Sequence, residues 1–239
     1  MKIRAVIFDI YRTLLDVGPP PSDSEARWVA LGLETFNGPP RLDLGGFRAA
    51  CDAIITREHA AARAAGIAWP EVYWPDVIAE VLPELARSPA KSSASFMVRH
   101  AGLMHTVKLN PGAAALLRPL HERGVLLGLA SNCQPYTLSE LGTEFASAGL
   151  STDILYPALR FLSFEHGFSK PDPHVPRLLA ARLRPFGVTP AEALLVGDRL
   201  DHDIEPARVQ GWQTWHLGPP GTPGGGAWSA LDAFVRASI

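Results

Sequence analysis

The sequence is poor in cysteine and has no long hydrophobic run. Its 239 residues contain two cysteines, Cys51 and Cys133, which are too few for a disulfide framework and favour a reducing compartment. No apolar stretch approaches the roughly 20 residues that a membrane-spanning helix needs. Charged residues such as Asp9 and Arg12 also interrupt the N-terminal region where a signal peptide would carry its apolar segment. We therefore expect a cytoplasmic protein.

The net charge is also small, since 22 basic and 24 acidic side chains leave a formal charge of −2. A nearly neutral chain offers no electrostatic reason to expect nucleic acid or an anionic membrane surface as a partner. Hydrophobic residues make up 47% of the chain and charged residues 19%, a composition that supports a core and excludes intrinsic disorder. The length fits one large domain or a domain with an insertion. No feature of the sequence indicates an oligomeric state.

Three short apolar runs end at polar residues. They cover residues 3–8, 125–130 and 193–196 and are followed by Asp9, by Ser131 and by Gly197-Asp198. Near-continuous apolar runs of this length are typical of strands in a parallel sheet, which are buried on both faces. In open parallel sheets, ligands bind outside the carboxyl ends of the strands. We therefore expect Asp9, Ser131 and Asp198 to converge.

Helical patterns alternate with these runs, and the alternation predicts an α/β fold with a doubly wound parallel sheet. The predicted helices cover residues 111–124, 136–148, 173–184, 203–210 and 228–237, and weaker strand candidates cover 153–156 and 212–217. Residues 218–226 have the composition of a Pro/Gly linker.

One long segment, residues 18–107, breaks the alternation and has no clear strand. We interpret it as an all-helical cap of about four helices, inserted after the first strand into a core formed by residues 1–17 and 108–239. Its aromatic residues Trp69, Tyr73 and Trp74 are expected in the interior of the cap rather than on a wall of the substrate site.

Four short motifs occur in an order that resembles the haloacid dehalogenase (HAD) superfamily. They are Asp9-Ile10-Tyr11-Arg12-Thr13, Ser131-Asn132, Lys170-Pro171-Asp172-Pro173, and Gly197-Asp198 with Asp203. The resemblance spans residues 3 to about 211, and the helical insertion is similar to the cap of the C1 group. It implies a Rossmann-like core and a hydrolase that acts on a small anionic molecule.

The first three motifs imply an aspartate nucleophile and an anion site. By resemblance, Asp9 attacks the substrate and forms an aspartyl-phosphate or an ester, which divides one difficult displacement into two easier steps. Ser131 and Asn132 would donate hydrogen bonds to a phosphate or a carboxylate. Lys170, one of four lysines in the chain, would neutralise the anion and the nucleophile.

The fourth motif implies a magnesium site. Asp198 and Asp203 would join Asp9 in a set of hard oxygen ligands suited to Mg²⁺, and the superfamily adds a main-chain carbonyl that here belongs to Tyr11. A bound cation would also relieve repulsion among the carboxylates. Asp203 is equally suited to capping its helix.

Motif one departs from the superfamily's phosphatases at two positions. Tyr11 stands where those enzymes have a second aspartate that protonates the leaving alcohol, and tyrosine, with a pKa of about 10, is a poor substitute near neutral pH. Losing such assistance costs on the order of 10²–10⁴-fold in rate, and the loss matters least when the leaving group needs no proton. Arg12 replaces the usual glycine, and it could bind an anion, clash with one or point outward.

Three functions remain open. Gly197-Asp198 favours a Mg²⁺-dependent phosphohydrolase that acts on a small phosphorylated metabolite with an activated leaving group. Tyr11 favours a metal-independent 2-haloacid dehalogenase, because those members of the superfamily have tyrosine at this position. The two departures together are also compatible with a catalytically weakened HAD-fold binding or regulatory protein.

Overall fold

The structure is a computed structural model that describes residues 2–87 and 89–239. Its strands are β1 (Ala5–Phe8), β2 (Leu15–Gly18), β3 (Thr106–Leu109), β4 (Leu126–Ser131), β5 (Leu155–Leu162), β6 (Ala193–Gly197), β7 (Gln213–Leu217) and β8 (Gly225–Gly226). Its helices are α1 (Ser24–Phe36), α2 (Leu44–Ala64), α3 (Trp74–Val81), α4 (Pro83–Ala86), α5 (Ala90–Met104), α6 (Pro111–Glu122), α7 (Pro135–Ser147), α8 (His174–Leu183), α9 (Glu205–Val209) and α10 (Trp228–Arg236). No helix in this described part is long and apolar enough to cross a membrane.

Six strands form one parallel sheet in the order β5-β4-β1-β6-β7-β8. The three apolar runs form its centre, because β1 pairs with β4 through Ala5 and Leu126 and with β6 through Ala5 and Ala193. All four residues of β1 are buried, as expected for a strand covered on both faces. The predicted fold class is confirmed.

The two faces of the sheet carry separate layers of helices. Val6 and Phe8 of β1 face a cluster that includes buried side chains of α6, α7 and α10. Ala5 and Ile7 face the opposite cluster, which includes buried side chains of α8. Successive residues of a strand point to opposite faces, so this short apolar strand joins both layers of a doubly wound fold.

The inserted segment contains helices α1 to α5, which pack around the aromatic side chains of Trp28, Phe47 and Phe96. Five helices are described where about four were expected, and one of them, α4, is a single turn that begins at Pro83.

The expectation that residues 18–107 hold no strand was wrong at both ends. β2 and β3 pair as an antiparallel ribbon, from Leu15 opposite Leu109 to Gly18 opposite Thr106, and this ribbon crosses the predicted boundaries of the cap. Each strand has only four residues and is partly exposed, so its apolar-polar alternation is too short to reveal a strand in a sequence.

Three other elements differ from their predicted bounds. The strand expected at 153–156 is β5, which is preceded by the 3₁₀ turn Thr152–Ile154. The helix expected at 203–210 begins as the π-helical turn Leu200–Ile204 before α9. The expected linker contains the two-residue edge strand β8, which pairs with β7.

Candidate active site

The carboxyl ends of three neighbouring strands bring the predicted residues together. Asp9 directly follows β1, and its main-chain N–H donates to the carbonyl of Val196 in β6 at 2.9 Å. Ser131 is the last residue of β4, and Asp198 directly follows β6. Because β1 lies between β4 and β6, Ser131 and Asp198 flank Asp9 on its two sides.

An open cavity of about 230 Å³ lies at this edge of the sheet. It is lined by Asp9, Tyr11, Arg12, Ser131, Asn132, Lys170, Asp198, Arg199, His202 and Asp203. All seven residues predicted as site residues are in this set. Arg199 was not predicted, although it directly follows the fourth motif.

Lys170 joins two carboxylates at the base of the cavity. Its Nζ donates to Asp9 Oδ1 at 2.7 Å and to Asp203 Oδ1 at 2.5 Å, and all three residues are buried. Burial by itself lowers the pKa of Lys170, but the charges of Asp9 and Asp203 outweigh it and raise that pKa. Lys170 is therefore a permanent cation beside the predicted nucleophile.

The side chain of Asn132 forms two hydrogen bonds with the main chain of Lys170. Its Nδ2 donates to the Lys170 carbonyl at 2.9 Å, and the Lys170 N–H donates to Asn132 Oδ1 at 2.8 Å. Asn132 was predicted to bind the substrate, and the structure adds a positioning contact that connects motif two to motif three. The contact joins residues 38 positions apart, which no local sequence pattern reveals.

Burial strongly raises the pKa of Asp9, the predicted nucleophile. It raises the pKa of the Asp9 carboxyl to about 6; Lys170 opposes this rise, and the negative charges of Asp203 and Asp198 add to it. Asp9 is therefore mostly ionised at neutral pH. Its charge is held there by Lys170 against the cost of desolvation.

Asp9, Asp198 and Asp203 form an acidic set. One carboxylate oxygen from each residue lies within 4.8 Å of those from the other two. Burial raises the pKa of Asp198, and repulsion from Asp203 raises it further, so a divalent cation would stabilise the ionised set. These residues fit Mg²⁺ in donor type and charge.

Asp203 is the most constrained member of the acidic set. Its Oδ1 accepts from Lys170, and its Oδ2 accepts from the main-chain N–H of Arg199 at 3.1 Å. A side chain at Gly197 would overlap the Asp203 carboxylate, which explains the glycine before Asp198. The alternative that Asp203 caps its helix was wrong, because neither the turn Leu200–Ile204 nor α9 has a side-chain cap hydrogen bond. Its carboxylate instead fixes Lys170.

The hydroxyl of Tyr11 is directed toward α7. It donates to Glu140 Oε2 at 2.5 Å and lies 2.9 Å from Thr137 Oγ1, while His105 Nε2 lies 2.9 Å from Glu140 Oε1. Burial raises the pKa of Tyr11 well above its usual value, and Glu140 adds to that rise. The Tyr11 proton is therefore held by Glu140. Sequence reasoning missed Glu140, which is 129 positions from Tyr11.

The Ser131 hydroxyl lies at the cavity wall. The residue is 1% exposed, and its Oγ has no oxygen or nitrogen partner among the described residues, with the Cys133 thiol as its one polar neighbour there. Buried hydroxyls normally have partners. Ser131 Oγ is therefore suited to donate to an anion bound beside Asp9.

The cap residues singled out in the sequence have different environments. Trp74 packs against the interior of the cap, whereas Trp69 and Tyr73 are 40% and 45% exposed. The expectation that all three belong to the cap interior was therefore wrong for Trp69 and Tyr73.

Comparison with known proteins agrees with this geometry. A family profile described as haloacid dehalogenase-like hydrolase matches residues 3–211. This chain belongs to the haloacid dehalogenase-like hydrolases. The match begins before β1 and extends past the fourth motif, so it contains every residue that lines the cavity.

Individual relatives of this HAD-like hydrolase carry different activities. A phosphoserine phosphatase of Thermus thermophilus is 32% identical over 164 residues, which are 68% of this chain and 61% of the length of that protein. An L-2-haloacid dehalogenase is 25% identical with a TM-score of 0.54, covering 99% of this chain and 100% of its own.

A third relative is similar in fold alone. It is a HAD family enzyme from Bacteroides thetaiotaomicron in complex with magnesium and inorganic phosphate, 16% identical with a TM-score of 0.56, covering 96% of this chain and 98% of its own.

Proposed function

We propose that this HAD-like hydrolase is a Mg²⁺-dependent phosphohydrolase that acts on a small phosphorylated metabolite whose leaving group needs no proton, such as an acyl phosphate. Asp9 is the nucleophile, and Ser131 and Lys170 bind the phosphoryl group. The similarity to a phosphoserine phosphatase supports phosphoryl transfer.

The observation that carries the proposal is the acidic set of Asp9, Asp198 and Asp203 around the Lys170 ammonium. Carboxylates this close together favour a hard divalent cation. Asp9 and Asp198 are the best-placed ligands, since both oxygens of Asp203 already accept hydrogen bonds, and the Tyr11 carbonyl would complete the protein's contribution. When bound, Mg²⁺ would neutralise charge on the phosphoryl oxygens.

The reaction has two displacements at phosphorus. An Asp9 carboxylate oxygen forms a bond to phosphorus while the bond from phosphorus to the leaving oxygen breaks, and the electron pair stays on that oxygen. Water then adds to the phosphorus of the aspartyl-phosphate, and the bond to Asp9 breaks. The products are inorganic phosphate and a regenerated Asp9 carboxylate, with the proton of the water passing to solvent.

The environment of Tyr11 limits which leaving groups can depart. Its proton is held by Glu140 at 2.5 Å, and its raised pKa prevents it from acting as an acid near neutral pH. A carboxylate leaving group needs no proton, whereas an alkoxide does. Acyl phosphates are therefore the favoured substrates.

Dehalogenation is the second candidate, and Tyr11 favours it. Halide also leaves without a proton, and the similarity to an L-2-haloacid dehalogenase supports this reaction. In that case Asp9 would attack carbon and form an ester, and Lys170 with Ser131 would bind the substrate carboxylate.

The test is phosphate release from acetyl phosphate and from a simple alkyl phosphate, with Mg²⁺ and with EDTA. We expect Mg²⁺-dependent release from acetyl phosphate and little from the alkyl phosphate. Asp9→Asn is the control variant, because it keeps the size of the side chain and removes the nucleophile, and it should lower the rate by at least about 10⁴-fold.

Halide release from a short 2-haloacid is measured in parallel. Release that persists in EDTA, without any phosphate release, would replace the phosphohydrolase by the dehalogenase. Inertness toward all three substrates would favour a binding or regulatory protein. Equal turnover of the acyl and alkyl phosphates would contradict the leaving-group restriction.

A further inference from the structure

Arg12 has a backbone conformation that most side chains avoid. Its φ is 58°, and Asn37 is the one other non-glycine residue with positive φ in the described part of the chain. Asparagine tolerates this left-handed region, whereas arginine is disfavoured there. The turn is held by hydrogen bonds from Arg12 N–H to Leu15 O at 2.6 Å and from Leu15 N–H to Ile10 O at 2.8 Å. Strained residues of this kind concentrate at functional sites.

Arg12 also differs from Lys170 and Arg199, the other lysine and arginine side chains at the cavity, because it has no ion-pair partner among the described residues. Lys170 pairs with Asp9 and Asp203. The guanidinium of Arg199 pairs with both oxygens of Asp201, at 3.1 and 2.8 Å. The side chain of Arg12 makes no hydrogen bond or ion pair among the described residues that line the cavity.

Arg12 lies at the rim of the cavity. It lines the cavity together with Asp198, and it is exposed whereas Asp9 is buried. Arg12 is therefore closer to the mouth of the cavity than Asp9 is. In phosphoryl transfer the attacking and leaving oxygens are roughly in line. With Asp9 at the base, the leaving oxygen must face the mouth.

We propose that Arg12 is a catalytic residue that binds the leaving oxygen and stabilises the negative charge developing there. The inference rests on the proposed phosphohydrolase function. As the bond from phosphorus to the leaving oxygen breaks, its electron pair moves onto that oxygen, and the two N–H groups of the guanidinium fork can bind it. Arg12 thus supplies charge where Tyr11 cannot supply a proton.

The stabilisation must grow with the basicity of the leaving group, because a more basic oxygen carries more charge in the transition state. An acyl phosphate should depend little on Arg12, and an aryl phosphate should depend on it strongly. Arg12 would thereby extend the substrate range from acyl phosphates to phosphate esters of acidic hydroxyl groups.

The experiment compares wild type with Arg12→Gly on acetyl phosphate, p-nitrophenyl phosphate and phenyl phosphate, each with Mg²⁺. Glycine fits the left-handed conformation, so this variant should fold normally. We expect kcat/KM to fall less than about tenfold on acetyl phosphate and about 10²–10³-fold on phenyl phosphate, the loss seen when one transition-state donor is removed. Added guanidinium ion should restore part of the phenyl phosphate activity.

Asn37→Gly is the matched control, because it relieves the other left-handed residue without touching the cavity, and its kinetics should equal wild type. An equal loss on all three substrates, or no loss, would overturn the role of Arg12 while leaving the phosphohydrolase intact. A wild type inert toward all three would overturn both proposals together. Failure of guanidinium to rescue while Arg12→Lys restores full activity would assign a point charge instead of bidentate binding and would also overturn the inference.

Discussion

The α/β core and the helical cap differ in the burial of their ion pairs. In the core, Lys170, Asp9 and Asp203 are buried together and paired at the carboxyl ends of the strands. The described ion pairs within the cap are on its surface, as between Arg57 and Glu80, whose side chains are 56% and 49% exposed. Among the described residues, the most deeply buried ion pairs therefore lie at the candidate site.

The interior of the cap is built of aliphatic and aromatic side chains. His100 is 2% exposed, and its ring centroid lies 6.0, 5.1 and 6.3 Å from those of Trp28, Phe47 and Phe96. Burying an ion pair costs desolvation that its attraction barely repays. The core carries that cost at the candidate site, whereas the cap is built for packing. Substitution of the buried ion-paired residues of the core should therefore alter activity, whereas substitution of buried polar residues in the cap should alter stability alone.

The largest effect should come from Lys170→Met. Loss of the ammonium leaves Asp9 and Asp203 buried beside each other without a cation, and breaking a buried pair in this way costs about 3–5 kcal/mol. We expect urea unfolding to show that loss together with abolished turnover. The double variant Lys170→Met/Asp203→Asn should recover part of the stability and none of the activity. A single variant as stable as wild type would contradict the contrast between core and cap.

His100 should make the stability of the cap depend on pH. Burial lowers the pKa of His100 to about 4, and Arg48 and His105 act in the same direction. Between pH 6.5 and 4 the unfolded chain therefore binds a proton that the folded protein does not, so stability falls as the pH falls, by about 3 kcal/mol at the lower end.

The measurement for His100 is the free energy of unfolding in urea between pH 7.5 and 4.5 for wild type and His100→Phe. The variant should lose part of the pH dependence and keep the activity measured at neutral pH. Equal slopes for the two proteins would show that His100 does not carry the effect.

Tyr11→Phe should separate stability from activity within the core. Removing the hydroxyl leaves one Glu140 oxygen without its donor and should cost about 1–3 kcal/mol of stability. Because Tyr11 does not supply a proton in the proposed reaction, kcat for acetyl phosphate should change by less than about tenfold. A loss of 10²-fold or more, with Thr137→Val as a control on the same network, would show that Tyr11 takes part in the chemistry.

The smallest effect is expected on the surface of the cap. Arg57 contacts Glu58 and Glu80, but exposed ion pairs of this kind contribute little because solvent screens them. Arg57→Ala should leave the urea midpoint and the kinetics within experimental error of wild type. A clear drop in the midpoint would show that the cap depends on its surface charges as the core depends on Lys170.

The sequence was most informative where local pattern and chemistry coincide. The apolar runs before Asp9, Ser131 and Asp198 predicted three parallel strands, and the rule that ligands bind at strand ends predicted their convergence. Lysine is scarce in this chain, which helped to single out Lys170. These predictions depend on residues that are close along the chain or that share one edge of the sheet.

Other parts of the site depend on contacts between distant segments. Glu140 meets Tyr11 across 129 positions, and Asn132 meets Lys170 across 38. The β2–β3 ribbon pairs strands separated by the whole cap. None of these contacts leaves a periodic pattern in the sequence, because periodicity reports burial within one element and not the partner of a polar side chain.

Taken by itself, the sequence determined the parallel sheet, the identity of the acidic residues and the lysine, and their order along the chain, because strand burial and motif spacing are local properties. The tertiary structure decided which partners each of two neighbouring side chains contacts. The Tyr11 hydroxyl is held by Glu140 of α7, while Arg12, in a left-handed turn closed by Leu15, lines the cavity. The direction of a side chain is set by backbone conformation and by the partners that the fold brings within hydrogen-bonding distance.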